Sequence, residues 1–160
     1  MDNLYHTDYP EWLNQQRHLL ANGQFDRLDI PNLLEAMEQR MGDAVNELES
    51  HLIILLLHLL KYDYQMRVLQ DPWVQDKAIH TWIPSINNPR TEIELLTSKN
   101  PHLKNKTARA LQAAYPRAKN KAVAELNKYI RSEKKRLNQN SFPEECPWSF
   151  ERIVDDDWLP

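Results

Sequence analysis

Residues 31–65 read PNLLEAMEQRMGDAVNELESHLIILLLHLLKYDYQ, and the spacing of their apolar side chains decides the fold. Leu34, Met37, Met41, Ala44, Leu48, Leu52, Leu55, Leu59 and Tyr62 follow one another in steps of three or four, the four doubled once between Leu48 and Leu52. This is helical spacing with a stutter in a heptad-like seam, and it predicts one long helix over residues 31–65. After His51 nearly every face is apolar, in the run 52–60 broken once by His58. A helix apolar all round is surrounded by others, so Leu52, Leu55, Leu56 and Leu59 are the expected centre of the core. Gly42 lies mid-helix without a capping role and reads as a close-packing site or a kink. The nine-residue run is too short for a bilayer, which needs about 20 residues.

Outward from this helix, prolines mark the boundaries. Asp71-Pro72, Asn88-Pro89 and Asn100-Pro101 each put an Asx side chain ahead of a proline, the signal of a capped helix start. Asp8-Tyr9-Pro10-Glu11 and Asp29-Ile30-Pro31-Asn32 are looser forms of it. The expected helices are 10–22, stopped at Gly23, then 31–65, 72–82, 89–97 and 101–115. Pro116 breaks or kinks the chain into a helix over 117–138, with Val123, Leu126, Ile130 and Leu137 on one stripe. A short turn follows near 149–155. No period-two strand pattern and no internal repeat occurs, so the expected fold is all-α, a helical bundle around one long central helix in a single domain, 1–160.

Composition narrows the chemistry. Two glycines in 160 residues leave no Walker A loop, no GxGxxG and no GxSxG elbow, which excludes P-loop, glycine-fingerprint Rossmann and α/β-hydrolase readings. One cysteine, Cys146, forms no internal disulfide and fits a reducing compartment. The first residues lack the basic and apolar regions of a signal peptide, so the expectation is a soluble cytoplasmic protein with no membrane partner.

Four stretches carry a resemblance. Leu4-Tyr5-His6-Thr7-Asp8-Tyr9-Pro10-Glu11-Trp12-Leu13 resembles the start of DUF29, an uncharacterised helical family found mostly in cyanobacteria. Phe25-Asp26-Arg27-Leu28-Asp29-Ile30-Pro31-Asn32-Leu33-Leu34-Glu35 is similar to that family's F-x-x-L-D-x-x-N-L-x-E, and His58-Leu59-Leu60-Lys61-Tyr62 to its H-L-L-K-W. Phe142-Pro143-Glu144-Glu145-Cys146-Pro147-Trp148 is similar to its closing F-P-x-x-C-P-[YW]. The chain departs from the family after Tyr64-Gln65, where Met66-Arg67-Val68-Leu69 replaces a proline and an arginine-rich stretch. The resemblance implies an all-α fold and a cytoplasmic protein, and it brings no activity with it.

Few residues suggest catalysis. His51 and His58 stand two helical turns apart on one face, with Glu47 one turn before His51. Carboxylate-bridged metal sites in bundles want Glu-x-x-His on two helices, and this chain contains no Glu-x-x-His, His-x-x-x-His or HExxH. The plainer reading of His58 is a neutral core histidine. Glu35 and Glu38 sit on adjacent turns beside the seam, where an ion pair with Arg17, Arg40 or a later lysine explains them as well as acid–base work does. Cys146 has acidic neighbours, and nothing local lowers its pKa. No catalytic residue, cofactor or metal ligand is assigned. Glu35, Glu38, Glu47, His51 and His58 form a polar cluster to inspect.

Charge is segregated along the chain. Residues 99–136 hold twelve Lys/Arg against two acids, a net of +10, while the rest holds eight against twenty-one, a net of −13. A basic segment can meet phosphates or an acidic partner, but its aromatics are only Tyr115 and Tyr129, too thin for single-strand stacking. The acidic tail from Ser141, with aromatic anchors Trp148 and Phe150, is expected to dock near Lys121, Lys128, Arg131 or Lys135. These four also form the candidate surface for a polyanion or acidic partner. The favoured function is a non-enzymatic interaction or regulatory module with an unknown protein partner. Nucleic-acid binding through 99–136, an enzyme with a site near His58 and a homo-oligomer stay open.

Overall fold

The computed structural model describes residues 4–70 and 78–160, and every regular element among them is helical. The helix start expected at Asp71-Pro72 lies outside the described residues. Two compact units are distinguished, Met1–Asp43 and Ala44–Pro160. The chain runs α1 (Leu4–Thr7), α2 (Tyr9–Ala21), α3 (Ile30–Tyr64), α4 (Ile83–Lys99), α5 (Thr107–Asn127) and α6 (Phe150–Ile153), with short 3₁₀ and π turns between.

The first unit is built by its caps. Asp8 Oδ1 accepts the Glu11 N–H at 3.2 Å and starts α2. Gly23, at φ +69°, ends it: the Gln24 N–H reaches the Leu19 carbonyl at 2.9 Å and the Gly23 N–H the Leu20 carbonyl at 3.2 Å, a Schellman closure. Asp29 starts α3. Its carboxylate accepts from the Asn32 side chain at 2.7 Å and from Trp12 Nε1 at 3.1 Å, while its own N–H donates to Gln16 Oε1 at 2.8 Å. The Asn32 bond chiefly, with Trp12, holds the Asp29 carboxyl below the usual carboxylate range. Tyr5 packs edge-on against Trp12 with ring centroids 4.7 Å apart.

In this unit the seam departs from expectation. Leu34, Met37 and Met41 are exposed, at 58, 60 and 55%. Among its described residues the unit buries only Tyr5, Trp12 and Gln16, because two helices and a short turn offer the start of α3 too little to pack on. Gly42 is no close-packing site, since a Cβ there would meet nothing within 4 Å. Gly42→Ala should therefore stabilise the protein by about 0.5–1 kcal/mol, the helix-interior penalty of glycine, read as a raised urea midpoint at unchanged m.

In the second unit α3 becomes the expected central helix. Leu48, Leu52, Leu55, Leu56 and Leu59 are fully buried, and they share a core with Ile86 and Ile93 of α4. From α5 the core takes Ala110, Ala114, Ala118 and Ala122, spaced four apart. Small side chains in one row let a helix backbone approach closely. At its end α3 loosens into a π turn over Gln65–Leu69, closed by Gln70 at φ +44°.

The punctuation differs from the expected one in four places. Asn100-Pro101 opens a 3₁₀ turn, Pro101–Asn105, with no side-chain bond from Asn100 to cap it, and the α-helix expected from residue 101 begins at Thr107. Asn88-Pro89 does not start a helix. Pro89 lies inside α4, buried in the stripe Ile86, Pro89, Arg90, Ile93 and Leu96, and that stripe outweighs the missing hydrogen bond. Pro116 neither breaks nor separates helices: it sits inside α5 on the solvent side, where Gln112, four residues before it, is also exposed and water can serve the freed carbonyl. The helix expected to reach 138 ends at Asn127. There the Asn127 side chain accepts the Leu137 N–H at 2.8 Å and donates to the Leu137 carbonyl at 2.9 Å. This clasp turns Leu137 into the core and leaves 131–136 exposed.

Candidate interaction groove

The residues singled out for chemistry do not form one centre. Glu35 and Glu38 belong to the first unit, and both are exposed, Glu35 bonded to Gln39 at 3.1 Å. Glu47 and His51 pair at 3.7 Å in the second unit. His58 is half-buried rather than core and lies near the ion pair of Lys61 Nζ with Glu125 Oε2 at 2.7 Å. Among the described residues no three His, Cys, Asp or Glu side chains converge as a metal-binding group.

His58 and Glu125 nevertheless set a pH response. Burial, then Lys61, holds the His58 imidazole below its ordinary value, against an opposing pull from Glu125. The hydrogen bond from Lys61 holds Glu125 low. Unfolded histidine takes its proton near pH 6.5, before the folded one does, so stability should fall as pH drops below about 6.5. The Glu125 contribution, present above the ordinary carboxylate value, is lost further down, as pH passes its lowered one. Urea midpoints of wild type and His58→Gln between pH 7.5 and 3 check this: the variant should lose the upper stage alone.

The tail does not reach the lysines expected for it. Lys121, Lys128, Arg131 and Lys135 are exposed, and none forms an ion pair among the described residues. The tail is held by its main chain. Arg90, 2% exposed, donates to the carbonyls of Ile153 at 2.8 Å, Trp158 at 2.7 Å and Asp156 at 3.4 Å. Tyr115 Oη donates to the Pro143 carbonyl at 2.8 Å, joined there by Lys119 Nζ at 3.3 Å. Phe142 and Ile153 are buried and Trp148 packs edge-on against Trp158. Burying such side chains draws neighbouring carbonyls out of water, and those need donors, whereas exposed carboxylates keep their water. Burial also raises the pKa of the Cys146 thiol, whose Sγ donates to the Trp148 carbonyl at 3.4 Å, so no reactive thiolate is built there.

What the first unit does present is an apolar groove of about 490 Å³. Leu13 and Leu20 of α2 form one wall, Ile30, Leu33, Leu34 and Met37 of α3 the other, with Leu28, Gln16 and Arg17 completing it. The order of the elements explains the opening: Asp29 ties the start of α3 to Trp12 and Gln16 on one side of α2, and Leu13 and Leu20 are left facing out. Exposed apolar patches of this kind mark interaction sites. Periodicity along 34–41 marks the α3 wall but assigns it to the core, and it passes over the α2 wall. The signal for that wall is Leu13 and Leu20, seven apart and so on one face. A family model described as a domain of unknown function, DUF29, matches residues 4–159. No curated protein and no solved structure matches the chain.

Proposed function

The chain belongs to the DUF29 family, a domain of unknown function, and on that premise we propose that it is a non-enzymatic interaction module whose working surface is the groove between α2 and the start of α3. One observation carries this reading: among the described residues of the first unit eight large apolar side chains stand exposed and three residues are buried, and five of the eight, Leu13, Leu20, Ile30, Leu34 and Met37, line the groove. A groove of about 490 Å³ walled by two helices accepts the apolar face of a third helix. No helix of the described residues is long and apolar enough to cross a membrane, so a lipid-spanning role does not compete for these side chains. The cytoplasm, where a lone thiol stays reduced, is the proposed location.

The test is photo-cross-linking in the native cell, with the reactive side chain placed at Leu34 or Met37 and, as control, at exposed Glu92. Protein adducts should form at the first two positions and not at the third. Equal labelling at all three would sink the groove as a working surface. A second reading rests on the exposed, unpaired Lys121, Lys128, Arg131 and Lys135, which suit a polyanion. Replacing all four by glutamine should then lower heparin retention and flatten its salt dependence. Wild type eluting at low salt would remove that reading.

A further inference from the structure

We propose that the groove's occupant is the same groove of a second copy of this chain, the two hairpins of α2 and α3 closing on each other as a two-fold four-helix bundle. This rests on the interaction reading above and names its partner. The first argument is charge. Arg17 stands on the α2 wall between Leu13 and Leu20, and Glu38 stands on α3 one turn beyond Leu34. Both are exposed, and neither has an ion-pair or hydrogen-bond partner among the described residues. The α2 wall thus holds an unpaired cation, and α3 an unpaired anion just beyond the residues that line the groove. A two-fold mate whose α2 lies on this α3 brings Arg17 to Glu38, and symmetry makes the same pair a second time.

The second argument is size. Leu13, Leu20, Ile30, Leu34 and Met37 of the groove, with Met41 one turn on, are each between 45 and 60% exposed. Closing two such faces removes on the order of 1,200 Å² in total, the lower end of a specific interface. The third is economy of core. A unit this short usually completes its core by oligomerising or by binding a metal or disulfide, and it has no cysteine. Two helical hairpins pairing into a bundle is a standard completion, and spacing by threes and fours along Ile30, Leu34, Met37 and Met41 supplies the knobs.

The test uses the full chain in sedimentation velocity over about 1–200 µM, at about 50 mM salt so that rim charges are felt. Wild type should show a concentration-dependent dimer, and Leu34→Glu should be monomeric with unchanged helical content. Arg17→Glu and Glu38→Arg should each pair about tenfold more weakly than wild type, since each puts like charges together twice. Mixed one to one, the two variants should recover wild-type affinity, because their heterodimer sets an acid against a base at both contacts. Wild type that stays monomeric overturns the proposal, as does a dimer indifferent to Leu34→Glu or a mixture no tighter than its components. A monomer whose groove still cross-links to a different protein rejects self-pairing and leaves the interaction reading standing. A monomer with no adduct rejects both.

Discussion

Arg90→Ala should destabilise the protein by about 3–5 kcal/mol, because two short charge-assisted bonds are lost and the carbonyls of Ile153, buried, and Trp158, partly buried, are left without their donor. The guanidinium spans α4 and the tail, and its burial is nearly complete. Removing it relieves the desolvation of one charge, which offsets part of the loss. Arg90→Met separates the effects: it keeps most of the volume and strands the same carbonyls, so it should still cost about 2 kcal/mol or more. Arg90→Lys should fall between, since an ammonium cannot serve divergent acceptors with a fixed planar fork. Urea unfolding measures the energies. Hydrogen exchange read by mass spectrometry locates them, with faster exchange expected over 142–158 before the rest of the second unit responds. An unchanged tail in Arg90→Ala would mean that Phe142, Ile153 and the paired tryptophans hold it alone.

Leu55→Ala should cost about 2–5 kcal/mol, the range for buried leucine in a packed core. Leu55 of α3 is fully buried, in a core that takes side chains from α3, α4, α5 and α6. Its informative partner is Met37→Ala on the same helix, at 60% exposure. That change should move the midpoint of the isolated chain by less than about 0.5 kcal/mol, as surface substitutions do. At concentrations where copies pair, Met37→Ala should begin to matter and Leu55→Ala should cost no more than before. Equal costs for the two at low concentration would mean that the first unit's groove is closed in the monomer.

These two positions show what the seam reveals and what it withholds. Leu34, Met37 and Met41 obey the same three-and-four spacing as Leu48, Leu52 and Leu55, so one long helix is legible from residues 31–65. Periodicity names the face that is apolar, but what lies opposite depends on distant elements. The start of α3 has only α1 and α2 in its unit, while the remainder has α4, α5 and the tail. Caps are legible for the opposite reason, being local. Asp8, Gly23 and Asp29 act within four residues of themselves. Pro89 and Pro116 mislead because a proline's local preference is worth about 3 kcal/mol, and a continuous buried stripe can exceed it. Arg90 carries no signal at all in a polar neighbourhood, since its partners are carbonyls more than sixty residues away. As for site chemistry, the spacing of His51 and His58 places both on one helix face, and no pattern in one chain tells whether a third ligand arrives from elsewhere.

The clasp of Asn127 on Leu137 reaches beyond the helix that it ends. Between these two residues the chain makes a detour through Arg131, Lys134, Lys135 and Arg136, all exposed, and both ends are fastened to the body by side-chain and main-chain bonds. A segment fastened at its ends transmits little of what happens at its middle, and each doubling of its length adds only about 0.6 kcal/mol of closure entropy. Trypsin should therefore open the chain here first and yield two fragments that stay together. The same stretch is a natural port for a grafted epitope, a reporter domain or new chain termini, with the bundle left to fold as before.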